Sequence, residues 1–151
     1  MLSIVAALLL AAGSPGAAQT AALSGPVAEA ARIVDAFHAA LHRGDTRGAA
    51  LLLSDDAVIF EEGHVEHGKA EYAAHHLPAD AAFSSAVRSR VTRRSGGGSA
   101  GVAWVASEGR TIGAYKGKPV NSISTETMVL RRVRNSWKIV HVHWSSHSPA
   151  R

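Results

Sequence analysis

The chain has 151 residues and contains no cysteine, which excludes disulfide bonds, thiolate metal ligands and a thiol nucleophile. Its net charge of +4 conceals a division: Pro26–Asp80 carries ten acidic residues against four basic ones, whereas Ala81–Arg151 carries two against twelve. The candidate aromatic partners in the basic half are Trp104, Tyr115, Trp137 and Trp144, and most of these suit a core, so it reads as the solvated face of a sheet and no nucleic-acid partner is expected.

Residues 2–12 are a small, apolar run broken only by Ser3, followed by Gly13-Ser-Pro-Gly16 and Ala17-Ala-Gln19. This is the order of a secretory signal peptide with cleavage near Ala18, although no Lys or Arg precedes the run. The run is shorter than the roughly 20 residues of a membrane span. The expected division is a signal peptide over 1–18, a short linker over 19–25 and one domain over 26–148, secreted or periplasmic and without a stable membrane anchor.

Val27, Ala30, Val34, Phe37 and Leu41 fall at helical spacing and predict a helix over Pro26–Arg43, capped by Ser24 and ended by Gly44. A short helix from Asp45 or Thr46 to Leu53 follows and is broken by Ser54-Asp-Asp56. Ala57–Glu61 predicts a strand that turns at Gly63 into His64–His67, and Lys69–Leu77 predicts a third helix stopped by Pro78. Alternation then predicts strands over Phe83–Arg94, Ala100–Ser107 and Ser122–Arg134. Ser95-Gly-Gly-Gly-Ser99 is expected as a turn, and Gly109–Pro119 as a long hairpin connection. Asn135-Ser136 predicts a tight turn into a final strand, Trp137–His147. Helices first and antiparallel strands after predict an α+β domain.

The final strand carries the strongest signal. With a period of two, Trp137, Ile139, His141, His143, Ser145 and His147 share one face, and Val140, Val142 and Trp144 share the other. Imidazoles two residues apart stand about 6–7 Å from each other, close enough to hold one metal ion or to line one polar pocket.

Several stretches resemble the nuclear-transport-factor-like superfamily, whose cone-shaped, cystatin-like fold packs N-terminal helices on a curved antiparallel sheet. They are Ala36–Asp45 with its closing Gly44-Asp45 pair, Leu51–Phe60, and Gly68-Lys-Ala-Glu-Tyr72. Thr125–Arg132 joined to Trp137–Ser146 resembles the SnoaL-like branch of unknown function that ends in W-x-I-x-H-x-H-W-S. The resemblance spans residues 26–148 and implies a pocket between helices and sheet, with Ile139, His141 and His143 facing inward. It also implies a tendency to form homodimers through the open sheet face, for which Val140, Val142 and Trp144 are candidates if they are not core.

Two chemistries remain open for such a pocket. A transition-metal site, copper or zinc, would use His64, His76, His141 and His143, with Glu61 or Glu66 nearby. An acid–base site acting without a cofactor on a small carbonyl compound, as the resemblance to cyclases and ketosteroid isomerases implies, would use His141 or His143 as base, with Tyr72, His76 or Glu126 stabilising an enolate. The catalytic candidates are therefore His141, His143 and Tyr72, and the ligand-binding candidates His64, His76, Trp137, Ile139 and Glu126. Asp80 is placed near the pocket mouth or as a turn-fixing residue, and His38 and His42 as either a chelating pair or a solvated helix face. Dimerisation without chemistry is the third possibility.

Overall fold

A computed structural model describes residues 22–149, so the expected signal peptide and the first part of the linker lie outside the described residues. Helix α1 spans Gly25–His42 and buries Ala30, Val34, Phe37 and Leu41 of the predicted stripe, with Val27 half-buried. Helix α2, Thr46–Leu52, is capped by the Asp45 carboxylate, which accepts the Gly48 N–H at 2.8 Å. Strands β1 (Leu53–Glu61) and β2 (His64–Glu66) form a hairpin, followed by helices α3 (Lys69–His75) and α4 (Leu77–Ala86). Four long strands complete the chain: β3 (Val87–Gly98), β4 (Val102–Tyr115), β5 (Lys118–Val133) and β6 (Ser136–His147). With β1 and β2 they form one six-stranded sheet in the order β2-β1-β6-β5-β4-β3. Among the described residues only the β1–β6 pairing is parallel.

Four local expectations are corrected. Pro78 does not end helical structure; it sits in the first turn of α4, where its missing N–H has no helical partner to lose. The predicted strand from Phe83 therefore begins only at Val87. The glycine run 96–98 stays within β3 and pairs with Val105, Trp104 and Ala103. Trp104 explains this: its indole lies 2.9–3.1 Å from where a Gly97 Cβ would stand, so the ring covers the bare backbone. The Gly109–Pro119 stretch is likewise strand rather than connection, reversing only at Lys116-Gly117 with positive φ at both.

The core lies between the helices and the inner sheet face. Phe37, Val34 and Tyr72 meet Val105, Met128, Leu130, Ile139 and Val142 there, all fully buried.

The largest correction concerns the last strand. Val129 pairs with His141 and Leu130 with Ile139, leaving Val140 unpaired in a β-bulge. One extra residue reverses the alternation beyond it. Trp137 and Ile139 therefore face the core, as do Val142 and Trp144, while His141 and His143 turn to the outer face. The strict period of two puts Trp137, Ile139, His141 and His143 on one face; the bulge at Val140 divides them in the middle.

Candidate functional site

A cavity of about 690 Å³ opens between α1, α4 and the inner sheet face. Such a volume suits a small organic molecule. One row of side chains crosses the sheet beneath it, because Arg94 pairs with Ser107, Ser107 with Glu126, and Glu126 with Trp144. Glu126 is only 8% exposed, and its Oε2 accepts from His38 Nε2 at 2.5 Å and from Trp144 Nε1 at 2.8 Å. Burial pushes this carboxyl up, but the hydrogen bond and charge of His38, with the Trp144 N–H, hold it below the usual range. Its other oxygen is buried and makes no hydrogen bond. Beside it, Arg94 donates to Ser107 Oγ at 3.2 Å and to Asp35 of α1 at 2.7 Å. The helix register thus aims His38 at the sheet carboxylate rather than leaving it on a plain solvated face.

At another part of the same cavity stand Glu61, at the end of β1, and Asp80, on α4. Burial, reinforced by the charge of Asp80, pushes Glu61 up to about 7. Burial raises Asp80 as well, against the hydrogen bond it accepts from Tyr72 Oη at 2.6 Å. Tyr72 is fully buried behind the wall, and its phenol is pushed up by that burial and by Asp80. Both carboxyls are thus held above their ordinary range by the cavity wall, and the charge of Asp80 contributes to the rise of Glu61.

Glu66, on β2, is buried and pairs with both His75 and His76 through its carboxylate. Although burial pushes Glu66 up, the hydrogen bonds from His76 and His75 hold it below its usual range, and the bond to Glu66 raises His76.

Of the residues expected at the site, Glu126 lines the cavity and Tyr72 supports Asp80 from behind. Trp137 and Ile139 are core, and Trp137 Nε1 donates to Glu29 at 3.0 Å. His64 and His76 lie with ring centroids 5.7 Å apart near β2, whereas His141 and His143, 6.5 Å apart, flank Phe60 on the outer face. The four imidazoles form two separate pairs rather than one ligand set. The cavity is consequently lined by carboxylates, arginines and serines, with His38 and His42 as its histidines, not by the predicted strand histidines. The sequence did contain the pertinent signal: Glu61 and Glu126 sit at strand positions where alternation demands a buried side chain.

The model of the SnoaL-like domain matches residues 31–149. A candidate ketosteroid isomerase from Shewanella frigidimarina NCIMB 400 is 36% identical, covering 78% of this chain and 94% of its own, with a TM-score of 0.74. An NTF2-like protein of unknown function from Pseudomonas putida KT2440 is 19% identical, covering 79% of this chain and 84% of its own, at a TM-score of 0.67. A candidate calcium/calmodulin dependent protein kinase II association domain from Xanthomonas campestris is 21% identical, covering 85% of this chain and 94% of its own, at a TM-score of 0.70. The last two likenesses concern the fold alone. No curated protein matches the chain.

Proposed function

We propose that this chain, which belongs to the SnoaL-like domain family, is a cofactor-free proton-transfer enzyme acting on a small carbonyl compound. The observation that carries this reading is the Glu61–Asp80 pair on the wall of one cavity, with Glu61 pushed up to about 7. A carboxyl poised near the working pH is present in useful amounts as both acid and base. In the proposed cycle the ionised member of the pair takes a proton from the carbon next to a substrate carbonyl. The C–H electrons move onto the carbonyl oxygen, and the protonated member hydrogen-bonds that developing enolate. Return of the proton to a conjugated carbon completes an isomerisation. Tyr72 is a positioning residue that holds Asp80 through its hydroxyl. Glu126, kept ionised by His38 and Trp144, adds a negative charge to the same sheet face, in one row with Trp144 and Glu61.

The Shewanella relative, named as a candidate ketosteroid isomerase, supports this class of chemistry. The test is incorporation of solvent deuterium into a panel of small enolisable and β,γ-unsaturated ketones, followed by mass spectrometry. Wild type should accelerate exchange for a subset, and Glu61→Gln should lower that rate roughly 10²–10⁴-fold. Exchange that survives Glu61→Gln, or that is absent across the panel, refutes the reading.

The same proposal includes export and pairing. The apolar run Leu2–Ala12 and the Ala17-Ala-Gln19 stretch support release into an extracytoplasmic compartment, checked by the N-terminal mass of the exported form. Among the described residues no helix is long and apolar enough to cross a membrane. Exposed Phe60, Trp104 and Ile123 on the outer sheet face support a homodimer through that face. Val142 and Trp144, expected there if they were not core, face the core instead.

A further inference from the structure

We propose that Glu66, Glu71 and His75 form a site for one divalent transition-metal ion at the junction of β2 and α3, with His76 orienting the Glu66 carboxylate. One ligand atom from each of the three lies within 4.8 Å of the others. Glu66 Oε2 and His75 Nδ1 are 3.4 Å apart. As a hydrogen bond this is a long, weak one, beyond the usual range of about 2.7–3.2 Å. It does match the edge of a tetrahedron around zinc, roughly 3.3–3.4 Å for ligand bonds of about 2.0–2.1 Å.

The chain supplies the three ligands from two elements. Glu71 and His75 stand four residues apart on α3 and therefore on one face of that helix. Glu66 faces them from β2, its buried carboxylate paired with both His75 and His76. Its second oxygen is taken by His76 Nδ1, the outer hydrogen bond that ligating carboxylates characteristically receive. Glu71 is also held in place, since one of its oxygens accepts the His67 N–H at 2.6 Å. His75 is 61% exposed, which gives an ion a route from solvent and leaves room for water as a fourth ligand. None of the three ligands lines the large cavity, so the site is separate from the proposed proton-transfer centre.

The test is calorimetric titration of zinc chloride into the full chain without a histidine tag. Wild type should bind one zinc per chain. His75→Ala and Glu71→Gln should abolish that binding, the glutamine keeping an oxygen for the His67 N–H. His76→Ala should weaken it roughly 10–100-fold. His141→Ala/His143→Ala should leave it unchanged, and circular dichroism should show every variant folded. Absence of zinc binding by wild type overturns the proposal, as does binding indifferent to His75→Ala and Glu71→Gln. Loss of binding in the His141/His143 double variant would assign the ion to the outer face and overturn it equally.

Discussion

Replacing Glu61 by glutamine should make the protein more stable at alkaline pH while leaving it unchanged in mild acid. A carboxyl whose folded pKa lies above its unfolded value is protonated in the fold where the unfolded chain has already ionised. Folding stability associated with it is therefore intact below pH 4.5 and is lost as pH rises towards about 7, the value to which Glu61 is pushed. At about 1.36 kcal/mol per pH unit the full interval corresponds to roughly 3 kcal/mol. Solvent reaching the open cavity screens the carboxyl, and a realistic loss is about 1–2 kcal/mol. Glutamine keeps the shape and cannot ionise. Urea denaturation at pH 4.5, 6 and 8 should therefore show wild type and Glu61→Gln nearly equal at pH 4.5, and the variant more stable by about 1–2 kcal/mol at pH 8. A variant less stable than wild type at pH 8, or a gap that does not change with pH, would show that Glu61 is not a strained carboxyl and would remove the basis of the proton-transfer reading.

Tyr72→Phe removes the 2.6 Å hydrogen bond to Asp80 without altering the packed ring, and should cost about 1.5–3 kcal/mol in chemical denaturation while shifting the pH profile of proton exchange upward. Gly98→Ala should destabilise by about 2–4 kcal/mol, because Gly98 has φ +154° and an added Cβ would lie 2.4 Å from the Val102 carbonyl oxygen; thermal melting measures it. Trp104→Glu should convert a dimer to a monomer in sedimentation if the outer face is the contact, and should also expose the Gly97 backbone that the indole covers. His143→Ala, on the outer face, should change stability by no more than about 0.5 kcal/mol and leave carbonyl exchange at the wild-type rate.

Much of the architecture was legible because it rests on local rules. The stripe Ala30, Val34, Phe37 and Leu41 prescribes α1 by helical spacing alone. Asp45 before Thr46, and the lysine-led Lys69–His75 after Gly68, mark helix starts that the structure keeps. The division of charge between the halves of the chain was visible as composition. Only the fold shows its use: Arg94 meets Asp35, Arg131 meets Asp56, and Arg132 meets Glu29, tying the sheet to elements of the acidic half.

The site was legible in its residue types and not in its geometry. Alternation along Trp137–His147 identified a strand with one apolar and one histidine-bearing face, but a period-two argument holds only while pairing is regular. Whether Val140 is paired or bulged is decided by β5, whose residues Val129 and Leu130 lie some ten positions earlier in the chain, and that decision alone sends His141 and His143 outward. The same holds for the carboxylates. The sequence by itself determined that Glu61, Asp80 and Glu126 exist at the ends or middles of half-buried elements. Their ionisation was decided by tertiary structure, because it depends on which partners burial brings near: His38 and Trp144 for Glu126, Tyr72 for Asp80, and for Glu61 the low dielectric of the cavity wall with the charges of Asp80, His76 and Glu62.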